Sequence, residues 1–81
     1  MKVTVKLFAI LRERAGVPGV DLQLPAGSTV DAAVQALLAL YPALAEHASK
    51  SAVAINRDYG RRDTVLRDGD ELAVIPPVSG G

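Results

Sequence analysis

The 81-residue chain has no cysteine and no tryptophan. Without thiols it forms no disulfide framework, offers no thiolate metal ligand and carries no persulfide on a side chain. Its one histidine, His47, has no second ligand at metal spacing, so it is read as a surface or core-edge residue and no metal is expected. Nine basic and nine acidic residues cancel to a formal charge of zero. That removes any global electrostatic case for nucleic acid or an anionic membrane. No apolar run approaches the ~20 residues of a membrane span, and Met1-Lys2 leads straight into a strand pattern rather than a signal peptide. A cytoplasmic protein of one domain is the expectation. No catalytic constellation stands out, so any chemistry is expected to depend on partners.

What is present is clear periodicity. Lys2 to Leu7 alternates, with Val3, Val5 and Leu7 on one face and Lys2, Thr4 and Lys6 on the other, which predicts a half-buried strand. Ala9 to Ala15 reads as a short helix closed by Gly16. Val20, Leu22 and Leu24 alternate again, up to the turn residues Pro25-Ala26-Gly27. Ser28 or Thr29 then supplies an N-cap, with Asp31 in the first turn of the strongest helix. Its apolar stripe is Val30, Val34, Leu37, Leu38 and Tyr41, and Pro42 ends it. Ala43 to Lys50 reads as a looser helical piece. Ala52 to Ile55 is a short buried-type strand, Asn56 to Asp63 is rich in turn residues, and Asp68-Gly69-Asp70 launches a last strand, Glu71 to Ile75. If the first and last strands pair in parallel, the main helix crosses one face of a mixed sheet. That is the α+β, β-grasp (ubiquitin-like) architecture, with residues 1–75 as the domain and 76–81 as a flexible tail.

The tail is Pro76-Pro77-Val78-Ser79-Gly80-Gly81. The prolines lack amide donors and hold the chain extended. Glycines without a Cβ pass through a channel that any side chain would block. Six residues reach about 20 Å beyond the body at full extension. The segment is therefore expected to insert into another protein's active site.

Strand parity adds a second clue. With Leu72 and Val74 pointing at the helix, Ile75 points the other way with Glu71. Phe8, the only phenylalanine, falls on the face of Lys6. An outward aromatic and an outward isoleucine on neighbouring strands make an apolar patch of the kind that marks a partner surface. The competing reading folds Phe8 back over the core. Arg12 and Arg14 flank the patch.

Leu7-Phe8-Ala9, Leu11-Arg12-Glu13, Ala15-Gly16, the turn Asp68-Gly69-Asp70-Glu71 and the ending Pro76 to Gly81 together resemble the molybdopterin synthase small-subunit family of β-grasp sulfur carriers. The resemblance spans Val3 to Gly81. It implies that the Gly81 carboxylate is adenylated by an ATP-dependent, E1-like adenylyltransferase, and that a sulfur donor then displaces AMP to leave a thiocarboxylate. The tail residues Pro76, Pro77, Val78, Ser79 and Gly80 would carry it into the large synthase subunit, where sulfur passes to cyclic pyranopterin monophosphate. Phe8, Arg12, Tyr59 and Ile75 are the implied partner-binding residues. Ile75 and Tyr59 differ from the residues common at those positions but keep an apolar contact. The small subunit would hold no cofactor itself, and the family suggests a heterotetramer. A free carboxylate, anionic and unreactive at neutral pH, fits the need for outside activation.

Other signals are weaker. Asp68 and Asp70 lack the wider ligand set of a calcium loop and read as turn residues. Arg57, Arg61 and Arg62 cluster near Tyr59; the reading is a solvated loop balanced by Asp58 and Asp63, with docking on an acidic partner as the alternative. A sulfur carrier for thiamine or tRNA thiolation, a ubiquitin-like modifier conjugated to lysines, and a plain binding module are the competing functions.

Overall fold

The computed structural model describes residues 1–77. The alternation of Val3, Val5 and Leu7 forms strand β1 (Lys2–Leu7), with those three side chains buried. Helix α1 (Ala9–Ala15) follows and stops at Gly16, whose φ of 78° turns its N–H back onto the Arg12 carbonyl at 2.9 Å. A residue with a Cβ would be strained in that left-handed cap. Strand β2 (Gly19–Gln23) returns antiparallel to β1, pairing Val5 with Val20 and Val3 with Leu22.

Helix α2 (Val30–Leu40) starts where Thr29 Oγ1 accepts a hydrogen bond from the Ala32 amide at 3.2 Å, so Thr29 rather than Ser28 is the cap. Asp31 lies in its first turn, against the positive end of the helix dipole. Its buried stripe is Val30, Ala33, Val34 and Leu37; Leu38 and Tyr41 pack half-buried at the margin of the core. Pro42, lacking an N–H, ends the helix and opens a 3-10 turn at Pro42–Leu44, which runs into the short α3 (Ala45–Ala48). The looser helical piece expected after Tyr41 is thus two segments. Leu44 and Ala48 anchor them in the core.

Strand β3 (Ala52–Ile55), a two-residue β4 (Asp58–Tyr59) and β5 (Glu71–Ile75) complete the sheet. Its order is β2-β1-β5-β3-β4, with β1 and β5 parallel at the centre and the other pairs antiparallel. This is the mixed β-grasp sheet the strand periodicity predicted. One face carries the core, where Val3, Val5, Leu7, Leu22, Leu72 and Val74 meet Val30, Val34 and Leu37 of α2, with Leu11 and Leu66 closing the ends.

Strand β4 lies inside the stretch Asn56 to Asp63, whose turn-rich composition predicts no strand. Ile55 pairs with Asp58 and Ala54 with Tyr59, leaving Asn56 and Arg57 as a two-residue loop with φ of 50° and 75°. Positive φ at both positions is the type I′ hairpin geometry. The usual Asn-Gly signal is hidden because arginine occupies the second site. The Arg57, Arg61 and Arg62 cluster also divides. Arg61 pairs with Asp63 at 3.3 Å in the exposed loop, as the charge balance suggested. Arg62 is instead a tie, donating to the Ala48 carbonyl at 2.8 Å and lying 3.8 Å from Asp31 of α2.

Asp68 and Asp70 spend their oxygens on the turn. Asp68 Oδ1 accepts from the Lys2 amide at 2.7 Å, Asp70 Oδ2 from the Arg67 amide at 2.8 Å, and Asp70 Oδ1 from the Asn56 side-chain amide at 2.9 Å. Among the described residues no helix is long and apolar enough to cross a membrane.

Candidate docking face and tail exit

The face of the sheet opposite α2 is where the candidate residues converge. Register partners share a face, so Lys6, Ala73, Ala54 and Tyr59 form one row across β1, β5, β3 and β4. The next row pairs Ile75 with Ala52. Alanines at 52, 54 and 73 put small side chains on this face, beside the half-buried Ile75 and the exposed Tyr59. Tyr59 is 82% exposed, on the outermost strand, about 14 Å across the sheet from the Lys6 row end at three strand spacings.

Phe8 follows directly on Leu7, keeps an extended backbone (φ −128°, ψ 153°) and is 43% exposed. The structure therefore chooses the outward reading over the one that folds Phe8 back into the core. Phe8 and Arg12 line a cleft of about 460 Å³ with Thr4, Lys6, Pro18 and Val20. Lys6 reaches Glu71 at 3.3 Å on the same face, and Lys2 reaches Asp21 at 3.6 Å. The face thus has a charged half towards Lys2 and an apolar half towards Phe8 and Ile75. Arg14 lies exposed in the last turn of α1.

Because β1 and β5 run parallel, both end at the same edge of the sheet. Leu7 pairs with Val74, the last pair of the ladder, and Phe8 and Ile75 are the next residues of the two chains at that edge. Pro76, read from the sequence as the first residue of the free tail, is instead buried, and Pro77 is exposed, so the packed body runs one residue past β5. The remaining tail residues Val78, Ser79, Gly80 and Gly81 lie outside the described residues. The sequence reading missed the cleft residues Lys6, Pro18 and Val20. Parity placed Lys6 beside Phe8, but the contribution of β2 needed the strand order.

A perturbed carboxyl, that of Asp70, lies away from this patch in the turn before β5. Hydrogen bonds from the Arg67 amide and the Asn56 side chain hold the Asp70 carboxyl below the usual aspartate range. Its role is to fix the turn that starts β5.

A family model described as the ThiS family matches residues 5–81. The chain belongs to the ThiS family. Within this family it is 40% identical over 81 residues to the molybdopterin synthase sulfur carrier subunit of Arabidopsis thaliana, a match that covers all of this chain and 84% of that protein. The crystal structure of small archaeal modifier protein 1 from Haloferax volcanii superposes with a TM-score of 0.93 at 34% identity, covering 100% of both chains. A chain from the complex of subunits 1 and 2 of the molybdopterin-converting factor from Helicobacter pylori matches with a TM-score of 0.72 at 27% identity, again covering 100% of both.

Proposed function

We propose that this protein is the sulfur carrier subunit of a molybdopterin synthase. The observation that carries the reading is the parallel β1–β5 pairing, which sets Phe8 and Ile75 at the same edge of the sheet, next to the first residues of the tail. A partner that grips this patch has the tail directed towards its own active site. The likeness to molybdopterin synthase sulfur carrier subunits, and to a chain found in complex with a second converting-factor subunit, supports the large synthase subunit as that partner.

In this reading an E1-like adenylyltransferase uses ATP to form a mixed anhydride at the Gly81 carboxylate, releasing pyrophosphate. A sulfur donor displaces AMP and leaves a thiocarboxylate. The tail from Pro77 to Gly80 carries this group into the large subunit, and sulfur passes to cyclic pyranopterin monophosphate. The small subunit supplies the docking face and the reactive terminus, while its partners supply catalysis. Its work is placed in the cytoplasm, and a heterotetramer with two small subunits is the proposed assembly.

A second reading, conjugation of Gly81 to target lysines, is favoured by the superposition with the archaeal modifier protein. Intact mass of the protein from its own cells, without reductant, tests both. A population heavier by one oxygen-to-sulfur exchange at Gly81, transferred to cyclic pyranopterin monophosphate by the large subunit, is expected. A ladder of lysine adducts with no such transfer would replace the carrier by the modifier.

A further inference from the structure

Among the described residues, three non-glycine residues have positive φ: Ala9, Asn56 and Arg57. The type I′ hairpin accounts for Asn56 and Arg57. Ala9, at φ 51°, is the first residue of α1, directly after Phe8, the single residue that joins β1 to the helix. A Cβ makes this left-handed region unfavourable, and alanine lacks the local side-chain hydrogen bonding that lets asparagine visit it. Such an outlier is worth a functional question when it borders a binding surface.

The geometry answers it. Leu7 and Leu11 are both buried, at 2% and 0% exposure, with only Phe8, Ala9 and Ile10 between them. The Leu11 amide closes on the Phe8 carbonyl at 3.1 Å, so the chain reverses within one turn. The left-handed Ala9 makes that reversal while leaving Phe8 outside the core. Phe8 lies on the strand side of the joint and Arg12 on the helix side, yet both line the same cleft.

We infer that Ala9 is a positioning residue, whose confined left-handed backbone aims Phe8 and Arg12 together into the docking face. This rests on the docking reading above. Glycine at this position would take the same φ without strain but would roam a far broader basin. Strain relief and loss of aim then act in opposite directions on folding and on binding, which separates this role from a structural one.

The experiment uses Ala9→Gly and Ala9→Asn in the full chain, alone and with Phe8→Ala, measuring thermal midpoint, side-chain order of Phe8 by NMR relaxation, and affinity for the large synthase subunit. Ala9→Gly is expected to unfold no earlier than the parent. It should lower Phe8 order and weaken binding roughly three- to tenfold, the cost of re-immobilising one or two side chains. Ala9→Asn, which tolerates the left-handed region, should keep both order and affinity. In the Phe8→Ala background the glycine change should have a much smaller effect. Unchanged Phe8 order in Ala9→Gly, or an equal loss of affinity in both backgrounds, would overturn the positioning role. A parent protein that does not bind the large subunit would overturn the docking reading instead, and the Phe8 order measurement would still decide the role of Ala9 in aiming that side chain.

Discussion

Leu7 and Val74 are register partners in the parallel β1–β5 ladder, and both are buried, at 2% and 0% exposure. Since successive strand residues alternate faces, the next residue on each strand turns to the opposite side. Phe8 and Ile75 therefore share one end of the outer face, next to the first residues of the tail. One buried pair thus couples the docking patch to the origin of the tail.

Phe8→Ala should weaken binding to the large synthase subunit by about 2 kcal/mol or more, the scale of an aromatic interface anchor. Its effect on unfolding should be much smaller than its effect on binding, because the side chain is 43% exposed. Titration calorimetry and thermal melts on the same samples check both. A variant that melts early and binds normally would return Phe8 to the core.

Deleting Gly81 should abolish sulfur transfer to cyclic pyranopterin monophosphate and leave the melting temperature nearly unchanged. Among the described residues the last buried side chain is Pro76, and a terminal residue that is not tied into the core adds little to stability. Single-turnover transfer with the large subunit is the assay, and residual delivery of sulfur by the truncated chain would count against Gly81 as the carrier.

Asp70 gives acid sensitivity of defined sign. Its carboxyl is held below the ordinary value by the Arg67 amide and the Asn56 side chain. The charged form is therefore favoured by folding, and its contribution is fully present above the ordinary aspartate pKa of about 3.9. It is lost as pH falls from there through the lower folded value. Urea midpoints at pH 7 and pH 3 should show that loss in the parent and a smaller one in Asp70→Asn, which cannot ionise. Equal acid loss in both would assign the effect to other carboxylates.

Arg57→Gly should stabilise the fold by about 1 kcal/mol. Arg57 is exposed at φ 75°, the second position of a type I′ loop where glycine carries no Cβ penalty. Denaturant unfolding at constant slope reads the gain. A loss of stability would mean that the arginine side chain contributes a contact outweighing the strain.

Much of this was legible in the chain itself. The alternation in Lys2 to Leu7 and Glu71 to Ile75, the stripe from Val30 to Leu37 and the stops at Gly16 and Pro42 all became the elements they predicted. Those signals are local: a period of 2 or 3.6 residues and a missing N–H act within one turn or strand. The outward side of Phe8 also followed from parity, as one of two readings. Strand β4 escaped because a two-residue strand has no period to detect and Arg57 masks its turn. Arg62 escaped because its partners, Asp31 and the Ala48 carbonyl, are distant in sequence.

The sequence by itself determined which residues prefer strand, helix or turn, the zero net charge and the lack of thiols, because these depend on composition and near neighbours. Tertiary structure alone decided that β5 lies between β1 and β3, and hence that Phe8, Ile75 and Tyr59 occupy one face with the tail origin at its edge. Sheet order and register are set by burying the whole apolar face against α2, a long-range balance that no short window of sequence contains.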